Sequence, residues 1–189
     1  MVKDICLEKM VVMKMLELTD REWAEFYIND IFNISPGKRL TKSDMISGSK
    51  PFIGASDSNN GVTSFISNSN ISEDSNVLGV NYNGSVVENF YHPYTCLFSD
   101  DVKRFTLKHI KGNKYHYLFF KTLILQQKNK YVYGYKFNEQ RMQKQMIMLP
   151  VDENGNPDYD FMEQFIREIE QQTVQNYIDY IDNVAQNGG

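Results

Sequence analysis

The C-terminal stretch constrains the fold more than any other part of this 189-residue chain. From Tyr159 to Asn187 there is no proline or glycine. Met162, Phe165, Ile166, Ile169, Thr173, Tyr177, Tyr180, Ile181 and Val184 recur three or four residues apart. That spacing predicts one α-helix, over 158–187, with a single apolar stripe. A domain of this size cannot cover such a stripe along its whole length. The pattern therefore predicts a partner helix packed in coiled-coil fashion, from an assembly or from a second copy; a helix folded back over its own domain is the alternative. Asp160 and Glu163 have capping-box spacing at its start. In the preceding turn, Asp152, Asn154, Asn156, Asp158 and Glu163 match the ligand spacing of a calcium loop. Pro157 stands where such a loop needs glycine, so a turn and helix cap are expected.

The formal net charge of −4 argues at first against a polyanionic partner. Resolved along the chain, the balance separates: residues 1–30 carry −3 and 152–189 carry −8, while 31–151 carry +7. Within 101–150, Lys103, Arg104, Lys108, Lys111, Lys114, Lys121, Lys128, Lys130, Lys136, Arg141 and Lys144 face only Asp101 and Glu139. Tyr115, Tyr117, Tyr131, Tyr133 and Tyr135 are interleaved with them. Basic groups neutralise phosphates and aromatic rings pack on sugars and bases, so this mixture suits a nucleic-acid surface; an ordinary solvated face is the alternative.

The remaining organisation is read from periodicity and turn residues. Residues 2–18 read as a modest helix or lead-in segment, and 1–18 have no assigned role. Thr19 followed by Glu22 predicts a capped short helix through Trp23 and Phe26. From Asn33 to Asp101 the chain is rich in Ser, Asn and Gly, with short β-prone runs, so this part is expected to be largely β. Asn60-Gly61 and Asn83-Gly84 can supply the positive φ of tight turns. Tyr117, Leu118, Phe120, Leu123 and Ile124 predict a buried helix over 114–127, and Met146 to Val151 a strand.

Catalytic constellations are missing from the sequence. His92, His109 and His116 stand apart with no second ligand at metal spacing, and Cys6 and Cys96 form neither a Cys-x-x-Cys pair nor a disulfide framework. No nucleophile elbow, phosphate-binding loop, dinucleotide fingerprint or zinc-protease helix is present, nor an Asn-Pro-Pro-Tyr-like methyltransferase loop. Glu73-Asp74 and Asp100-Asp101 read as solvated surface acids. The apolar stretch around Tyr117 to Leu125 is too short to span a bilayer. A cytoplasmic protein with no metal, and no cofactor of its own, is expected.

The order of local motifs carries a resemblance. WAEFYINDIF at 23–32 is followed by GKRL at 37–40, PFIGASDSNNGV at 51–62 and NGSVVENFYHPY at 83–94. KYVYGYKFNEQRMQKQMIMLPV at 130–151 and NGNPDYDFMEQFI at 154–166 complete it. This set resembles the target recognition domain of restriction-modification specificity subunits, the Type I S-subunit family and its Type II relatives with separate specificity chains. The resemblance implies a mixed α/β (α+β) fold: a single target-recognition domain with a twisted mixed β-sheet and short helices over 19–157, then the long helix over 158–187 as spacer and docking arm. It implies a subunit that is not itself an enzyme and directs a methyltransferase to double-stranded DNA, with S-adenosylmethionine on that partner and a restriction subunit as a further possible partner. Family members carry two recognition domains; this chain looks half-size, or a fragment, so a homodimer through the helix would restore the arrangement and read a symmetric bipartite site.

Physical reading and resemblance meet at particular residues. Lys38, Arg39 and Lys42 suit phosphate contact. Ser56, Ser58, Asn59 and Asn60 form a polar loop for backbone or base edges, asparagine being able to pair bidentately with adenine. Lys130, Tyr131, Tyr133, Tyr135, Lys136 and Arg141 combine charge and rings on an expected strand and turn, whose alternation would place the tyrosines on one face; packing at a core edge is the competing role. Gly54, Gly61 and Gly84 are expected to serve turn geometry. A protein-interaction module acting through the acidic helix, without reading DNA, is the alternative function. A fragment of a fused restriction-methylase enzyme is a third.

Overall fold

The computed structural model describes residues 15–131 and 135–187. Most of the N-terminal lead-in segment, Cys6 and Tyr133 lie outside the described residues. The elements are β1 (Glu22–Tyr27), α1 (Ile28–Ile31), β2 (Phe32–Pro36), β3 (Ser47–Ile53), β4 (Val62–Ile66), β5 (Glu73–Asp74), β6 (Val77–Asn81) and β7 (Asn89–His92). They continue with β8 (Cys96–Phe98), β9 (Val102–Leu107), α2 (Lys114–Leu125), α3 (Glu139–Lys144), β10 (Met146–Val151) and α4 (Tyr159–Asn187), with short 3₁₀ turns between them.

The strands form three sheets, ordered β1-β10, β2-β9-β6-β7 and β4-β3-β8-β5. Pairing is antiparallel except where β3 runs parallel to β8, so the expected mixed α+β architecture is present. The main core lies between the β2-β9-β6-β7 sheet and the helices. Ile28, Phe32, Leu78, Val80, Phe105, Phe120, Ile124 and Met162 are completely enclosed there, and each large apolar side chain so buried stabilises by roughly 2 kcal/mol. A smaller cluster of Ile53, Val77, Cys96, Phe98 and Val102 joins the two four-stranded sheets, and another around Phe52, Ile66 and Leu97 serves the second. Arg104 ties the two four-stranded sheets together. From β9 its Nη1 donates to Asp74 of β5 at 2.9 Å and its Nη2 to the Pro36 carbonyl of β2 at 3.0 Å.

Two local expectations are corrected. The helix expected through Trp23 and Phe26 is strand β1, paired with β10 from Glu22–Val151 to Tyr27–Met146. Its Trp, Phe and Tyr favour an extended chain, and the ladder from β10 satisfies the backbone along its length. The capping box closes two residues earlier, on the 3₁₀ turn Leu18–Asp20, where the Glu17 amide donates to Asp20. At α4 the cap is Asp158, not Asp160: its Oδ1 accepts from the Phe161 amide at 2.9 Å, while Glu163 bonds to α2. Asp152 Oδ1 accepts from the amides of Asn154 and Asn156, both at 2.9 Å, so the calcium-like residues act as turn and cap acceptors.

The helix α4 divides into a packed root and a bare extension. Phe161 and Met162 are buried and Phe165 packs edge-on against Phe119 of α2, with ring centroids 6.1 Å apart. Asn113 Nδ2 donates to Glu163 at 2.6 Å, Lys114 pairs with Glu170 at 2.6 Å, and the Arg167 guanidinium lies 3.9 Å over the Tyr115 ring. From Ile169 onward the described side chains are exposed, Tyr177 and Tyr180 to 64% and Ile181 to 45%. No helix among the described residues is long and apolar enough to cross a membrane.

Candidate nucleic-acid interface

The C-terminal ends of β2, β3, β6 and β8 all reach the same end of the sheets. The loops that follow them are tied to one another there. The Lys38 amide donates to the Phe98 carbonyl at 3.0 Å, and the Ser99 amide to Ile53 at 2.8 Å. Asn81 Nδ2 donates to the Ser56 carbonyl at 2.9 Å, the Ser85 amide to Ala55 at 3.2 Å, and the Tyr82 amide to Asp101 at 3.1 Å. The start of α3 joins them through Lys103, which pairs with Glu139 at 2.9 Å and lies 5.5 Å over the Tyr82 ring. Lys128, beyond α2, reaches Glu88 on the same side. Three segments far apart in sequence thus become one surface.

The connection between β6 and β7 is held under backbone strain. Val87 has φ of 71° and is completely buried; a β-branched residue adopts that conformation only when its surroundings enforce it. Its amide donates to the Asn81 carbonyl at 2.9 Å, and its own carbonyl accepts from Asn89 at 3.1 Å. Burial, followed by the nearby Asp101 and Asp100 carboxylates, raises the pKa of Tyr82 and keeps its hydroxyl neutral.

The expected residues fall into local groups on separate segments. Lys38, Arg39 and Lys42 are exposed, with Arg39 3.7 Å from Asp100. Ser56 is half-buried and bonded to Ser58 at 3.1 Å, while Ser58, Asn59 and Asn60 are exposed on the adjoining loop. Lys130 and Lys136 are exposed, Lys130 contacting Gln127 at 2.8 Å. Arg141 spreads its guanidinium 3.6 Å over the half-exposed ring of Tyr135, with Nη1 on the Lys136 carbonyl.

Tyr131 does not belong to this surface. It is buried, its hydroxyl donates to Gln145 at 2.8 Å, and its ring lies 4.5 Å from Phe137 and stacks 5.8 Å from Tyr135. Where described, the segment around it is irregular rather than a strand, so alternation does not apply: Phe137 and Met142 anchor it from the core side and Tyr131 fills the space between. The dense basic run is also dispersed. Arg104 is interior and Lys114 turns to α4, so only part of the run faces the loop cluster. Lys103 was legible only as one of the basic run, and Tyr82 and Tyr94 were not singled out; the Asn83-Gly84 turn was the signal that Tyr82 sits at a loop tip.

Nothing in the described residues groups three or more His, Cys, Asp or Glu side chains around a possible metal position. Cys96 is free and buried, and burial pushes its thiol up to about 12.

Comparison with known proteins gives a consistent picture. The sequence model described as Type I restriction modification DNA specificity domain matches residues 20–179. Over 157 residues, 83% of its length, the chain is 59% identical to the Type II restriction enzyme BgcI specificity subunit S.BcgI of Heyndrickxia coagulans, of which it covers 46%. Among solved structures it is similar to the Type I restriction-modification system S subunit from M. genitalium, with a TM-score of 0.60 at 16% identity, covering 89% of this chain and 44% of that one. The HsdS subunit from Thermoanaerobacter tengcongensis aligns with a TM-score of 0.57 at 13% identity, covering 81% of this chain and 38% of that one. At such identities the likeness is one of fold. The chain spans less than half the length of each of these relatives.

Proposed function

The chain belongs to the family of Type I restriction modification DNA specificity domains, and from that premise we propose that it is a non-catalytic specificity subunit that reads double-stranded DNA and directs a methyltransferase to its target. The observation that supports this reading is that the loops after β2, β3, β6 and β8, which carry Lys38, Arg39, Ser56, Ser58, Asn59 and Asn60, are tied to one another at one end of the sheets, with the start of α3 joined to them through Lys103. Phosphate contacts from the lysines and arginines would set the register on the duplex, and the asparagines and Tyr135 would supply contacts to bases or sugars. S-adenosylmethionine would sit on the partner methyltransferase, which performs the chemistry; a restriction subunit is a further candidate partner.

The second half of the reading concerns α4. It engages the first turns of α2, the end away from the loop cluster, and its bare stripe of Ile169, Thr173, Tyr177, Tyr180, Ile181 and Val184 lies in an acidic segment poorly suited to phosphate. Two copies joined along that stripe as a coiled coil would present two readers related by a two-fold axis to a symmetric bipartite site.

Affinity for duplex DNA, measured with randomised competitors across a salt series, tests the proposal. Preference for one motif and a steep loss of affinity with added salt are expected; equal affinity for random duplexes would sink it. Lys136→Ala and Arg141→Ala should each weaken binding. The bare stripe also fits an interaction module that binds the methyltransferase without reading DNA. Size-exclusion chromatography with that subunit, with and without duplex, separates the two readings.

A further inference from the structure

The turn at Asn59–Gly61 fixes one side chain in a single orientation. Asn59, Asn60 and Gly61 all have positive φ, at 50°, 55° and 74°, a left-handed run that asparagine and glycine tolerate better than other residues and that neighbouring contacts here support. The holding contacts converge on Asn60. Its Nδ2 donates to the Tyr94 hydroxyl at 3.0 Å and to the main-chain oxygen of Tyr91 at 3.5 Å. The main-chain oxygen only accepts and the hydroxyl can accept, so both neighbours suit the amide nitrogen on the inward side, which leaves Oδ1 over.

Tyr94 is itself braced from the core. Its hydroxyl lies 3.4 Å from Nδ1 of His92, and the two rings meet edge-on with centroids 5.8 Å apart. His92 is completely buried and packs edge-on against Phe98 at 5.3 Å. A chain of contacts therefore runs from the core through His92 and Tyr94 to an asparagine on the exposed loop.

A free asparagine pairs bidentately with adenine, accepting from N6 and donating to N7. With its amide nitrogen engaged by Tyr94 and Tyr91, Asn60 is poorly placed for that mode, and its oxygen remains as an acceptor. The base groups that donate into the major groove are the N6 amino group of adenine and the N4 amino group of cytosine. Guanine and thymine present acceptors there, which would meet Oδ1 with nothing between them to share. We infer that Asn60 is a specificity-determining residue that reads an exocyclic amino group, adenine N6 or cytosine N4, through Oδ1, and that Tyr94 is the positioning residue that presents it. The inference rests on the DNA-reading function proposed above.

The test selects duplexes from a randomised pool with the full chain, then measures binding to the selected motif with single amino groups deleted: purine in place of adenine, pyrimidin-2-one in place of cytosine. In the wild type, deletion at one position should weaken binding by about tenfold, the value of one well-placed base contact. Asn60→Gly, which suits the positive φ, should bind the intact and the deleted duplex alike at that position while keeping its preferences elsewhere. Tyr94→Phe should lose the same discrimination with thermal stability little changed. A wild-type motif that survives unaltered in both variants overturns the inference alone. So does a preference for guanine or thymine that disappears with Asn60. Discrimination lost in Asn60→Gly but intact in Tyr94→Phe overturns the role given to Tyr94. No motif in the wild type overturns the DNA-reading function along with it.

Discussion

Gly84 sits at φ of 59° with the Ala55 carbonyl oxygen 2.5 Å from where a Cβ would lie. Gly84→Ala should therefore cost about 2–3 kcal/mol, part conformational and part collision. Gly155→Ala, at φ of 77° but with open space around it, should cost only about 1 kcal/mol. Denaturant midpoints of the two variants separate strain from crowding, and equal losses would mean that the loop at 55–56 yields. His92 offers a pH signature. Burial lowers its pKa from the usual 6.5 to about 4, so the unfolded chain takes up a proton that the folded one refuses. Stability should fall as pH drops from 6.5 towards 4, by roughly 3 kcal/mol over that window. His116, also lowered by burial, adds in the same direction. Chemical denaturation at stepped pH should show a shallower loss in His92→Gln than in the wild type; identical slopes would mean that His92 is not the group responsible. Neither residue's role could be read locally. Gly84 was legible as a turn, but the Ala55 carbonyl that crowds it, and the Phe98 ring that helps bury His92, come from other strands.

At the scale of elements, the joint between α2 and α4 is where local and tertiary forces meet. Asn113 caps α2 by accepting from the amides of Tyr115 and His116, at 2.9 and 3.2 Å, and also donates to Glu163 of α4. Asn113→Ala should cost about 1–2 kcal/mol, because it removes a cap and an interhelical bond together. Lys114→Ala should leave stability nearly unchanged, since its pair with Glu170 is close to half exposed on both sides. Thermal unfolding of the two variants checks the ranking; equal losses would place the strength of the joint in surface charge. The helices α2 and α4 and strand β10 were legible because period and length are properties of the segment itself. β1 was not, since Thr19 and Glu22 mimic a helix start and the overriding partner, β10, lies beyond the whole of the intervening sheet. Tyr131 was misplaced for a related reason: alternation assigns faces only where a strand exists.

For the whole molecule, the proposed dimer makes a separable prediction. Tyr177→Asp combined with Ile181→Asp places charge on the bare stripe and should abolish self-association in sedimentation measured over a concentration series. The unfolding free energy of the body should stay within about 0.5 kcal/mol of wild type, because both side chains are exposed in the single chain. A self-associating variant would move the dimer contact elsewhere. The division of charge that underlies this picture was present in the sequence: a +7 middle between ends of −3 and −8. So were the single-striped helix and the β-rich, Asn- and Gly-punctuated centre, because periodicity, turn chemistry and charge depend on residues near one another in the chain. Only the tertiary structure decided which basic groups face the loop cluster, that Arg104 staples two sheets, that Tyr131 is core, and that Asn60 is held by Tyr94. Those outcomes depend on burial and hydrogen bonding between residues tens of positions apart, where local sequence exerts no control.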